Sequence, residues 1–89
     1  MKTITRNENN MSVYLLADEV TITEANDING RPYLELRNRS AGDLNIADLN
    51  AQNSTVHENV SDIPDDWVGG KYLFDGNEWS LNEKYSGSE

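Results

Sequence analysis

Apolar residues in this chain alternate with polar ones in short runs, and a cluster rich in Asn, Asp, Gly or Pro separates one run from the next. A period of two sends successive side chains to opposite faces of an extended backbone, which is the pattern of a half-buried strand. The runs recur roughly every 8–12 residues, the spacing of an all-β sandwich or barrel. Thr3-Ile4-Thr5 opens the series, and Asn7-Glu8-Asn9-Asn10 turns the chain with side chains that bond their own backbone. Met11-Ser12-Val13-Tyr14-Leu15-Leu16 predicts a second strand with apolar positions at Met11, Val13 and Leu15. Val20-Thr21-Ile22-Thr23 predicts a third, with Val20 and Ile22 on one face. After a loop containing Asn29-Gly30, a strong hairpin signal, Tyr33-Leu34-Glu35-Leu36-Arg37 predicts a fourth with Leu34 and Leu36 inward.

The middle of the chain carries a less settled period. Residues 43–49 fit either a strand with Leu44 and Ile46 buried or one or two helical turns, and the strand is preferred. Thr55-Val56-His57-Glu58-Asn59-Val60 predicts a short strand with Val56 and Val60 on the same side. Ser61-Asp62-Ile63-Pro64-Asp65-Asp66-Trp67 predicts a single helical or 3₁₀ turn. Proline suits a first helical position, and carboxylates suit the first turn. The clearest element closes the chain: Lys71-Tyr72-Leu73-Phe74, Asp75-Gly76-Asn77 and Glu78-Trp79-Ser80-Leu81 form a β-hairpin. A two-residue loop pairs Tyr72 with Trp79, and a four-residue loop pairs Phe74 with Trp79 and Tyr72 with Leu81. Both put Tyr72, Phe74, Trp79 and Leu81 on one face. The expected fold is therefore mainly β: a small antiparallel β-sandwich or partly open barrel of about six to eight short strands. Residues 1–85 make a single domain and 86–89 a flexible C-terminal end.

Composition narrows the chemistry. The 89 residues include no cysteine and one histidine, His57. Disulfides, thiolate metal sites and cysteine nucleophiles are excluded, and neither a histidine zinc site nor a Ser-His-Asp centre has enough parts. Sixteen Asp and Glu against seven Lys and Arg give a formal charge of −9, which repels nucleic-acid phosphates and anionic membranes. The charge is dispersed and chiefly serves solubility. No apolar run is long enough for a signal peptide core or a membrane span.

Four of the seven aromatic residues, Trp67, Tyr72, Phe74 and Trp79, fall close together near the end of the chain. A binding platform for a sugar or a partner would need them exposed. A small sheet needs large side chains inside, so with Leu81 they are expected to be structural core, and Trp79 is expected to be largely buried near Trp67. Adjacent acids such as Asp65-Asp66 offer no cleft for paired carboxylate chemistry. An EF-hand register on Gly30 puts Ala25 and Leu36 where carboxylates belong, so calcium binding is not expected there. His57, in an alternating segment beside the charge of Glu58, is expected to be solvated. No catalytic, metal or cofactor-binding residue is assigned, no cofactor is expected, and the chain is expected not to be an enzyme.

The segments Thr55-Val56-His57-Glu58-Asn59-Val60, Pro64-Asp65-Asp66-Trp67 and Lys71-Tyr72-Leu73-Phe74-Asp75-Gly76-Asn77-Glu78-Trp79 resemble small uncharacterised proteins of tailed bacteriophages, especially marine ones. The opening Met1-Lys2-Thr3-Ile4-Thr5-Arg6 and Val13-Tyr14-Leu15 are similar too, and the likeness is loosest from Asp18 to Asn45. The resemblance implies an accessory protein of the virion or tail region, made in the host cytoplasm, with no catalytic residues to carry over. Its expected partners are other virion proteins of tail, fibre, baseplate or capsid. A homo-oligomer is compatible with this expectation, and nucleic acid and membrane are not expected partners. The alternative is a small acidic phage-encoded inhibitor or regulator of a host protein.

Overall fold

In the computed structural model, which describes residues 1–40 and 42–84, the alternating runs become strands and the described residues contain no helix. Eight strands follow one another: β1 (Lys2–Arg6), β2 (Ser12–Leu16), β3 (Thr21–Asn26), β4 (Pro32–Arg37), β5 (Leu44–Ile46), β6 (Ser54–His57), β7 (Tyr72–Phe74) and β8 (Trp79–Leu81). They pair antiparallel in three sheets, ordered β2-β1-β6, β3-β4-β5 and β7-β8. The sheets stay open and form no closed barrel, and the core shared by β2-β1-β6 and β3-β4-β5 fits a sandwich-like arrangement. The end expected to be flexible at 86–89, and the domain limit at 85, lie outside the described residues.

Each face of β2-β1-β6 has its own chemistry. Cross-strand partners share a face, so Ile4 lies with Tyr14 and Val56, and Thr3 with Leu15 and His57. The first face is aliphatic. Ile4 and Leu16 pack with Leu34, Leu36 and Ile46 of the second sheet, and Val20 and Leu49 complete this core from the connections. Full burial of such a side chain contributes about 1.5–3 kcal/mol relative to exposure. The opposite face carries Thr3, Thr5 and Ser12, all buried.

Ser12 reaches that face through a bulge. Ile4 pairs with Tyr14, but Thr5 pairs with Ser12, so Val13 is the extra residue on β2. An extra residue reverses the phase of everything beyond it. Simple alternation predicts Met11, Val13 and Leu15 inward; the buried residues of β2 are instead Ser12 and Leu16.

Short polar side chains hold the turns between strands. The Asp27 carboxylate accepts the N–H groups of Asn29 and Arg31 at 2.8 and 2.9 Å, closing the β3–β4 loop, where Gly30 takes φ of 81°. The Asn50 side-chain oxygen accepts the N–H groups of Gln52 and Asn53 in the approach to β6. Asn10, Asn38 and Asn59 occupy left-handed backbone at φ of 62°, 65° and 58°, which asparagine tolerates better than most residues. The last of these ends the strand expected over 55–60: pairing stops at His57.

Two other expectations resolve locally. Residues 43–49 adopt the strand alternative, with Ile46 buried and Leu44 half-buried. Residues 61–67 form no helix. One bond from Trp67 N–H to Pro64 O, at 3.2 Å, closes a turn, and the left-handed Asp62, φ 58°, precedes it. The closing hairpin takes the four-residue loop, with Phe74 opposite Trp79 and Tyr72 opposite Leu81.

Candidate interaction surface

The hairpin β7–β8 leans over the polar face of the central sheet. Backbone bonds from Gly70 N–H to Ser12 O at 2.8 Å and from Phe74 N–H to Asn10 O at 2.9 Å tie it to β2, with a bridge between Met11 and Leu73. Gly69 fits here because a Cβ would lie 3.0 Å from Val13 O. Beneath the hairpin, the hydroxyls form a chain of fixed direction. Thr3 donates to Tyr14 O at 2.7 Å, so its single proton is used and Ser12 must donate to Thr3, at 2.6 Å. The Ser12 oxygen then accepts the Trp67 indole N–H at 3.0 Å. Every buried side-chain polar atom among the described residues has a partner.

His57 belongs to the same layer and is not simply solvated. Its Nε2 bonds the Thr5 hydroxyl at 3.1 Å, and its ring meets Phe74 edge-on at 5.1 Å between centroids. Burial holds its pKa below the ordinary value, against the raising effect of the Asp75 carboxylate.

The five residues expected as core separate into three environments. Phe74 is buried. Trp67, Tyr72 and Trp79 are half-buried. Trp79 stacks at a tilt on Phe74, 4.6 Å between centroids, and meets Tyr72 edge-on at 6.5 Å; its N–H donates to Ser61 O at 3.1 Å. Trp67 points to Ser12, with no ring contact to Trp79 among the described residues. Leu81 is a correction, being 56% exposed. Sharing a face with Phe74 does not bury it, because the ties to β2 run through β7, while Leu81 lies on β8, which among the described residues pairs only with β7. The larger core lies elsewhere, in Ile4, Leu16, Val20, Leu34, Leu36, Ile46 and Leu49.

Two further large side chains stand in the open on ordered backbone. Ile28 is 98% exposed at the tip of the Asp27-capped loop, and Val68 is 48% exposed in a turn closed by Lys71 N–H to Val68 O. A cleft beside β8 is lined by Met11, Leu73, Leu81 and Lys84 among others.

The carboxylates with shifted pKa serve the fold. Hydrogen bonds from Lys71 and Tyr72, both at 2.7 Å, hold Asp66 below the usual carboxylate range. The N–H groups of Glu78 and Asn77 do the same for Asp75. Tyr33 donates to Glu35 at 2.9 Å on the outer face of β3-β4-β5, which raises the phenol's pKa, and Arg37 pairs with Glu35 at 3.2 Å. Among the described residues no group of three or more His, Asp or Glu could hold a metal ion. The chain matches no protein-family model, no curated protein and no solved structure.

Proposed function

We propose that this protein is a non-enzymatic accessory component of a phage virion, acting through protein–protein contacts at a tail, fibre, baseplate or capsid. The carrying observation is the exposure of Ile28, Leu81 and Val68, at 98%, 56% and 48%, on turns and a strand whose backbone is already hydrogen-bonded. Apolar side chains held out on ordered backbone lose little further freedom when a partner covers them. The phage setting rests on the resemblance of the 55–79 segments. Mass spectrometry of purified particles is expected to find the protein at constant copy number, and Ile28→Asp with Leu81→Asp to reduce incorporation without unfolding it. Absence from particles, with recovery bound to a host protein, would replace this role with that of an acidic inhibitor.

A further inference from the structure

Edge strands usually carry a device against unwanted pairing, such as a proline, a lysine, a bulge or a cover. β3 has no proline, lysine or bulge and no covering strand among the described residues; its one such device is the charge of Glu24. It is a six-residue outer strand whose register with β4 is unbroken from Thr21–Arg37 to Asn26–Pro32. Among the described residues no strand pairs with its other side. The remaining outer strands are shorter: β5, β7 and β8 have three residues each, β6 has four and β2 has five.

The phase of the open edge follows from the loop. Asp27 N–H bonds Arg31 O at 2.9 Å, one step beyond the Asn26–Pro32 pair. Bonded pairs alternate along an antiparallel ladder, so Ala25, Thr23 and Thr21 exchange bonds with β4. The backbone groups of Ile22, Glu24 and Asn26 therefore face outward. Their side chains share a face with Leu36 and Leu34, their partners on β4.

Glu24 selects the occupant. If a second copy docked antiparallel so that all three outward residues paired, Glu24 would face its own copy, and like charges directly opposite are destabilising. The chain's charge of −9 adds to that repulsion, and among the described residues Glu24 has no ion-pair partner. A lysine or arginine at that position would gain a partner instead. Opposite Ile22 an apolar side chain would extend the core edge, since Ile22 packs against the central cluster.

We propose that β3 is a docking edge for an extended segment of a partner protein, added antiparallel, with a basic residue opposite Glu24 and an apolar one opposite Ile22. Main-chain bonds to Ile22, Glu24 and Asn26 supply affinity, and the two side-chain positions supply selection. The docking holds for a virion partner and for a host protein alike.

The test uses the ¹⁵N-labelled full chain and a synthetic nine-residue peptide in which Lys and Val alternate with Thr. Binding is expected to shift and protect the amides of Ile22, Glu24 and Asn26, and to weaken as salt rises. Glu24→Lys is expected to weaken it about tenfold or more, and the same peptide with Glu for Lys is expected not to bind. Glu24→Pro removes an outward N–H and should abolish binding while the remaining spectrum persists. No binding, amide changes confined to the hairpin layer, or equal binding by Glu24→Lys overturns the proposal.

Discussion

The two faces of β2-β1-β6 are closed by different means. On one, Ile4 and Leu16 meet Leu34, Leu36 and Ile46 with no polar atom required. On the other, Thr3, Thr5 and Ser12 are buried, and Trp67 and His57 are held by directed bonds beneath the hairpin. Aliphatic contact is non-directional and supplies most of the stability. A hydrogen-bonded seam adds less net energy, because each bond replaces one to water, but its geometry admits few arrangements. The first face therefore holds the fold together and the second decides where the hairpin sits.

The largest effect should come from the aliphatic face. Leu36→Ala, at a fully buried position, is expected to cost about 3–4 kcal/mol. A small domain with a total near the low end of ~5–15 kcal/mol would be left close to unfolding. Denaturant titration should show every probe failing together, and loss of the hairpin alone would break the contrast.

Trp79→Ala is expected to cost about 2–3 kcal/mol, less than full burial would give, because the ring is half-buried. Amide exchange should accelerate in β7 and β8 while β1 and β4 stay protected. Equal acceleration in all four strands would mean that the hairpin is part of one cooperative core.

Ser12→Ala should cost about 1–3 kcal/mol by leaving the Trp67 N–H without its acceptor. The Trp67 fluorescence is expected to shift red as the ring loosens. An unchanged spectrum would show that packing alone positions the indole.

The smallest effect is a pH dependence. Because His57 is held below its ordinary pKa in the folded chain, the unfolded chain takes up the proton first as pH drops. Stability should fall from about pH 6.5 downward and level off once the folded histidine is protonated. Asp66 and Asp75 act in a lower window: their contribution is present above the ordinary carboxylate pKa and is lost as pH falls through their depressed values. Thermal melts of the protein and of His57→Gln should differ in slope only in the upper window. Parallel curves there would remove His57 from the seam's energetics.

Much of the fold was legible in local pattern. Leu34 and Leu36 alternate with charges and do point inward, and Asp75-Gly76 announced the hairpin whose face it could not place. Alternation separates two faces of a strand without saying what covers either. Leu81 is misplaced for that reason, since its burial depends on how far the hairpin leans. Ser12 is hidden by a bulge at Val13, a one-residue change of phase that leaves no mark in composition. The exposed Ile28 and the open edge of β3 are legible only once the sheet order is known.

The polar seam also has a meaning in time. β1 is the middle strand of its sheet, yet its partner β6 lies far along the chain, with Thr3 paired to His57. During synthesis the β1–β2 and β3–β4 hairpins emerge first, and the hairpin that closes the seam comes after all the other strands. The surface left bare for longest is the one made of threonine and serine, which water solvates well. An aliphatic surface in that place would stay exposed and sticky throughout the slow, non-local steps. The order of the chain thus leaves for last the covering that a nascent protein can best do without.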